Sequence, residues 1–450
     1  MSAVKKAAPF DDVLGAALAA PGVDEVEVRV ARAWGGLTRF ARSGIHQHVE
    51  TEDTTVSVRT VLDGRIGTAS SNDASPRGAA EAAARAAATA RLTPPDPGFP
   101  GLAGPAPLPP VDQRFDPGTA EATPARRAEA VAALLGRLRP GQEGAGAVSS
   151  GGAEVAVATS VGAHHIGQST RAALSTVVLG NGASGHAEDA AVSLDQLDPA
   201  AVGALAADTC ARATEPGDVE PGTWAVVLGP SAVMTLLEHL ALTSFSGKSY
   251  HEGRSAFCGR LGTAVASPLV SIADDPLADG AIGLPFDDEG TPRRRVELIT
   301  AGVATGMVHD RASAAAAGAD AVSTGHGLPA PNPWGPLTLH LVLAPGSSST
   351  GELVAGVERG LYVTRFWYTR TVNPKQTVVT GMTRDGTFLI EDGRIGAPVR
   401  NLRYNQSILD ALASCDGVGD RLHTCVDELG DSRAPALRLR SFAFTSASDH

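Results

Sequence analysis

A short apolar strand that runs straight into a helix constrains this chain more than any other feature. Trp224-Ala-Val-Val-Leu228 reads as a buried strand, Gly229-Pro230 as a turn, and Ser231 as the N-cap of a helix reaching residue 244. On a 3.6-residue period, Val233, Leu236, Leu237, Leu240 and Ala241 share one face, and Thr235, Glu238 and Leu242 point the opposite way. His239 and Thr243 sit one turn apart on the flank. A helix fixes the directions of carboxylate and imidazole before a metal arrives, so adjacent Glu and His here resemble a ligand helix. The second histidine of that pattern is missing.

The 450 residues suffice for about two or three domains with full cores. A hydrophobic content of 43% with 19% charged residues is ordinary for a soluble globular chain. The net charge of −12 argues against a nucleic-acid coat, which needs a concentrated basic surface. Cys210, Cys258, Cys415 and Cys425 show neither CxxC spacing nor a disulfide framework. No run approaches a membrane span, and the first residues lack the apolar core of a signal peptide, so the expected location is cytoplasmic.

The expected fold class is α+β, with two small N-terminal α/β units and a large strand-rich C-terminal domain that carries helix 231–244. Residues 1–91 form the first unit, with the alternating Glu25 to Ala31 strand, strands at Trp34 to Arg42 and Gly44 to Glu52, and a hairpin turn at Asp63-Gly64. Residues 92–117 are rich in proline and glycine and read as a linker. Residues 118–222 form a second unit on a loosely similar plan, and residues 223–450 the C-terminal domain. There, Asp385-Gly386 and Asp392-Gly393 read as two turns of a meander.

The strand, Gly-Pro and helix start, together with Glu252 to Gly262, Ala266 to Asp275, Leu284 to Pro292, Ser323-Thr-Gly-His326 and Gly381 to Ile390, resemble the TldD/PmbA family, also called modulators of DNA gyrase. The acidic composition lends the gyrase name no support. The resemblance implies zinc peptidases whose active members carry His-Glu-x-x-x-His on this helix and a third ligand, a Cys in a Gly-rich segment near the C-terminus. On those positions this sequence has Glu238, His239 and Thr243. It therefore looks like the PmbA/TldE branch, a metal-free subunit that helps shape a peptide cleft in a heterodimer with a zinc-bearing TldD-like chain. No cofactor is expected in this chain, and zinc is expected in the partner.

Bland readings stand beside the functional ones. Neighbours on a helix diverge by about 100 degrees, so Glu238 and His239 do not share one ion without help. His423 and Cys425 could share a strand face, yet two ligands do not make a site. Arg254, Asp287, Asp288, Glu289 and His326 are candidate substrate or cleft contacts, although the three acids could equally pair with the arginines that follow them. Two other functions stay open: a standalone amide hydrolase or tailoring enzyme using Glu238 and His239, and a peptide-binding adaptor.

Overall fold

The computed structural model describes residues 10–318, 320–426 and 430–448. Asp427 and Glu428, at the end of the Cys425 segment, lie outside it, as do the N-terminal lysines. The fold is α+β with a strand-rich C-terminal part.

The first half is built on long antiparallel strands. These are β1 (Glu25–Ala41), β2 (Gly44–Leu62), β3 (Arg65–Ser71), β4 (Glu143–Thr159), β5 (His164–Gly180) and β6 (Ala183–Ala191). They form one sheet in the order β3-β2-β1-β4-β5-β6. The residue spans 1–91 and 118–222 each supply three of its strands, joined where β1 pairs with β4 from Glu27↔Thr159 to Phe40↔Gly146. The expected strands Trp34 to Arg42 and Gly44 to Glu52 are parts of β1 and β2, whose pairing continues without interruption past Trp34 and Glu52. β6 has no apolar alternation in Ala183-Ser-Gly-His-Ala-Glu-Asp-Ala-Ala191, and sequence reading does not find it.

Helices cover one end of each half-sheet. α1 (Phe10–Leu18) and α2 (Pro76–Ala90) pack on the first, and α3 (Pro117–Ala120), α4 (Pro124–Leu135) and α5 (Pro199–Arg212) on the second. Ser75 caps α2 by accepting the Gly78 N–H at 3.1 Å, and Pro76 occupies the first turn, where its missing N–H costs nothing. The two halves share a device. Gly67 on β3 lies against the α2 backbone at Ala86, and Gly185 on β6 against the α5 backbone at Ala206. The proline-rich stretch 92–117 is pinned rather than loose: Leu102, Ala103 and Arg114 are buried, and Arg114 donates to the Pro276, Ala278 and Ala281 carbonyls.

The second half opens with β7 (Gly222–Leu228) and α6 (Pro230–Thr243). A six-stranded sheet of β8 (Ile272–Asp274), β9 (Val296–Thr300), β10 (Val303–Ala304) and β11 (Leu341–Leu343), extended beyond β11 by β18 (Arg433–Ala434) and β17 (His423–Thr424), lies on one side of α6. On the other lie β12 (Arg359–Asn373), β13 (Val378–Glu391), β14 (Arg394–Pro398) and β15 (Leu402–Ser407). β16 (Cys415–Val418), β17 (His423–Thr424), β18 (Arg433–Ala434) and β19 (Leu437–Ala447) complete the chain. The larger sheet runs β12-β7-β19-β15-β13-β14, and β12 also pairs with β13, so the pairings close on themselves. One apolar cluster joins Val233, Leu236, Leu237 and Leu240 of α6 to Ile272, Ile299 and Leu341 on one side and Leu361, Val363 and Tyr404 on the other. No helix among the described residues is long and apolar enough to cross a membrane.

Two local expectations change. Asp385-Gly386 is not a turn but a bulge inside β13, where Thr364 opposite donates toward the carbonyls of Arg384, Asp385 and Gly386. Asp392-Gly393 does turn the chain, between β13 and β14, with both residues at positive φ. Likewise, the N-cap of α6 is Gly229, which has no side chain to make a cap bond, and Ser231 lies inside the first turn with its hydroxyl donated to Glu188.

Candidate active-site cleft

The face of α6 that turns from the core lines a cleft of about 660 Å³. Thr235, Glu238, His239 and Leu242 form one wall, as the 3.6-residue period requires. Ser175, His186 and Glu188 of the N-terminal sheet form the second, and Arg365 to Arg370 of β12 the third. Ser175 and Glu188 are direct partners across β5 and β6, and Val177 faces His186, so period-two alternation puts these polar groups on one face.

The cleft groups are tied to one another. Ser231 donates to Glu188 Oε1 at 3.2 Å, and His186 Nε2 lies 3.2 Å from Ser175 Oγ and 3.8 Å from Glu188 Oε2. Burial, with Arg365 and His423 adding repulsion, pushes His186 down to about 3, so its imidazole is neutral and fit to exchange hydrogen bonds. Burial also lowers His239, against the Thr235 carbonyl, which accepts from its Nδ1–H at 2.8 Å, and the Thr369 carbonyl. Arg365 pairs with Asp385 at 3.3 Å, and its guanidinium lies 4.8 Å over the Trp367 ring. The β12 bulge at Tyr368, with φ of 54°, turns Trp367 and Tyr368 out at the mouth of the cleft.

The cleft does not fit a zinc ion. Thr243, at the position of the second ligand histidine, is buried and its hydroxyl donates to the His239 carbonyl at 2.6 Å. Among the described residues no group of three or more His, Cys, Asp or Glu is arranged to hold a metal. His423 is directed at the Glu188 carbonyl, 2.9 Å away, while Cys425 packs in the central apolar cluster. The arrangement offers hydrogen-bonding groups along the cleft, but among the described residues its donor set does not close around an ion.

The other residues singled out by sequence do not line this cleft. Asp287, Asp288 and Glu289 are held in an intramolecular seam against the N-terminal sheet. Asp288 pairs with Arg29, Glu289 lies 3.4 Å from Arg59, and Asp287 accepts the N–H groups of Glu289, Thr291 and Gly327. The arginines that follow them in sequence are not their main partners, because the β1–β2 face supplies closer ones. Burial and the neighbouring Glu289 push Asp287 up to about 8, against Arg293 and the backbone donors. His326 is buried, with Nε2 2.9 Å from Asp274 Oδ1, which holds Asp274 below its usual range despite burial. Arg254 sits on the surface beside Glu252.

Sequence reading misses Ser175, His186, Glu188, Arg365, Trp367, Tyr368 and Arg370. One signal was available: Arg365-Phe-Trp-Tyr-Thr-Arg370 concentrates aromatic and cationic groups in a chain with only four Trp and four Tyr.

With the geometry in place, similarity to known proteins adds the family. The metalloprotease TldD homolog of Buchnera aphidicola is 30% identical over 213 residues, 45% of this chain and 41% of that protein. A metalloprotease of Methanothermobacter thermautotrophicus is 28% identical over 181 residues, 40% of this chain and 39% of that one. The chain thus spans about two fifths of the length of these curated relatives. The crystal structure of TldE from Thermococcus kodakarensis superimposes with a TM-score of 0.87 at 21% identity, covering 98% of this chain and 100% of that one. Residues 26–90 match the model of the PmbA/TldA metallopeptidase domain 1, and residues 221–446 that of the PmbA/TldA metallopeptidase C-terminal domain. That second match takes in β7, α6 and the whole closed sheet, and on it the chain belongs to the PmbA/TldD metallopeptidase family.

Proposed function

We propose that this chain is the subunit without a catalytic metal in a two-subunit peptidase of the TldD/TldE type. It shapes the peptide-binding cleft while a TldD-like partner carries the hydrolytic zinc. The observation that carries this reading is on α6: Glu238 and His239 line the cleft, but Thr243 is closed onto a backbone carbonyl where a ligand would stand. The likeness to a TldE structure supports it. The chain's share of the work is to exclude water and hold an extended peptide in register, which lowers the entropic cost of reaching the reactive geometry. Peptide backbone can meet the neutral imidazoles of His186 and His239, and side chains can meet Trp367, Tyr368 and Arg370.

The test is co-expression with a TldD-like chain carrying His-Glu-x-x-x-His, followed by elemental analysis and a peptide-cleavage assay of each subunit and of the pair. Zinc and cleavage are expected only where the partner is present. Zinc and cleavage by the pure chain would refute the reading.

A standalone amide hydrolase is favoured by one feature, a neutral His239 next to Glu238 in the cleft. Changing both to Ala in the reconstituted pair separates the two. Activity within severalfold keeps them as contacts, and a loss of several orders makes them catalytic.

A further inference from the structure

We propose that a second hollow, at the start of α6, binds a free carboxylate next to an apolar side chain: the C-terminal residue of a peptide. The hollow holds about 370 Å³, enough for one or two residues, and shares the wall of His186, Glu188 and Ser231 with the larger cleft. Its lining combines two chemistries. Leu205 of α5, Tyr362 of β12, Phe388 of β13 and Ile395 of β14 supply apolar surface, which favours a dehydrated side chain.

Arg212 and Arg421 supply charge. Arg212, the last residue of α5, lays its guanidinium 4.9 Å over the Phe388 ring, which holds the planar fork beside the apolar floor. Among the described residues neither arginine has a carboxylate within 4.0 Å. Both arginines are exposed to solvent, and the one carboxylate in the lining, Glu188, is held by Ser231. In a chain of net charge −12, where most cleft and seam arginines are paired, the two guanidinium groups are available at the hollow to an anion from solution. Guanidinium suits a carboxylate because two parallel N–H bonds match its two oxygens.

A peptide laid along the cleft reaches the hollow by crossing the wall where Ser231 holds Glu188 at 3.2 Å. The site then reads the end of the chain rather than its interior, so the preferred substrate is a short peptide ending in a large apolar residue. This inference rests on reading the cleft as a peptide site.

Isothermal titration of the purified chain tests it with N-acetyl-Ala-Ala-Phe as the free acid, the same peptide as its C-terminal amide, N-acetyl-Ala-Ala-Asp, and N-acetylphenylalanine. The free acid is expected to bind at least tenfold tighter than the amide or the Asp peptide. The double variant Arg212→Gln, Arg421→Gln should abolish the acid-over-amide difference while its thermal midpoint stays that of the parent. Equal affinity for acid and amide, no binding, or a variant that keeps the difference would overturn the proposal. N-acetylphenylalanine binding as tightly as the tripeptide would overturn the peptide source and leave a small-acid site. The titration uses neither partner nor turnover, so its outcome is independent of whether the heterodimer forms.

Discussion

The guanidinium of Arg59 on β2 stands 3.4 Å from the carboxylate of Glu289, the loop acid that the C-terminal half presents to the N-terminal sheet. The same group lies 3.3 Å from Glu27 on β1, so one cation serves two buried acids across the seam between the halves. This ion cluster joins the two halves, as do the bonds of Arg114 from the proline-rich crossing to the Pro276, Ala278 and Ala281 carbonyls.

Arg59→Met is therefore expected to be far more damaging than loss of a surface charge. Removing the shared cation leaves Glu27 and Glu289 buried without it, a change that costs about 3–5 kcal/mol in comparable buried pairs. Chemical denaturation of the variant and the parent measures this. A loss below about 1 kcal/mol, the range of an exposed pair, would show that the seam is solvated.

The same cluster predicts how stability depends on pH. Burial raises Glu27 from 4.5 to about 7, against the pull of Arg59, and its Oε2 has no hydrogen-bond partner among the described residues, as suits a protonated carboxyl. Folded chain then holds this proton more tightly than unfolded chain. The contribution is fully present below about pH 4.5 and is lost as pH rises to about 7. Asp287 moves in the same direction, to about 8, and extends the loss. Glu27→Gln should flatten the fall in thermal midpoint between pH 5 and 7 and leave the part above 7. A variant with the parent's slope would remove Glu27 from the explanation.

Much of the fold is legible because local rules and packing agree. The 3.6-residue period of α6 separates core residues from cleft residues correctly, since the helix is packed on both sides and the Thr235, Glu238, Leu242 stripe, with Ser231 and His239 beside it, is left to face the cleft. Asp63-Gly64 and Asp392-Gly393 turn hairpins because both positions need positive φ. Asp385-Gly386 has the same dipeptide and the same signs of φ, but Thr364 on the neighbouring strand absorbs its carbonyls and β13 continues. No dipeptide rule can see that partner. The site is only half legible for a related reason: Glu238 and His239 are placed by their own helix, whereas Ser175, His186 and Glu188 enter through strand pairing and the docking of one half on the other. Asp287 to Glu289 show the converse, an acidic loop that looks poised for a ligand and instead finds Arg29 and Arg59 more than two hundred residues earlier.

The two halves of the N-terminal sheet each depend on one glycine under a helix. A Cβ at Gly67 would strike the α2 backbone at Ala86 and Ala90, and one at Gly185 the α5 backbone at Ala206 and Cys210. Backbone cannot rotate aside as a side chain can, so the helix must lift. Gly67→Ala and Gly185→Ala are each expected to destabilise by about 1–3 kcal/mol, the range of overpacking in a close-packed core. Gly104→Ala, where a Cβ meets nothing within 4 Å, is the control and should be near neutral. Urea melts of the three variants decide it, and a Gly67 or Gly185 variant as stable as the control would show that α2 or α5 shifts freely.

Restoring the family's helix pattern by Glu238→His, His239→Glu and Thr243→His should not restore a metal site. Position 243 is only 6% exposed, and its hydroxyl is folded back on the His239 carbonyl. An imidazole there must displace packed neighbours, at about 1–3 kcal/mol of overpacking strain. Even if it is accommodated, two histidines from one helix leave a zinc ion short of a third protein ligand, and Cys425 is committed to the central apolar cluster. The triple variant is therefore expected to melt earlier than the parent and to carry well under one zinc per chain after dialysis. Stoichiometric zinc with an unchanged melting midpoint would mean that the cleft still holds a third ligand and that only the helix has diverged. The metal-free reading would then apply to α6 alone rather than to the whole site.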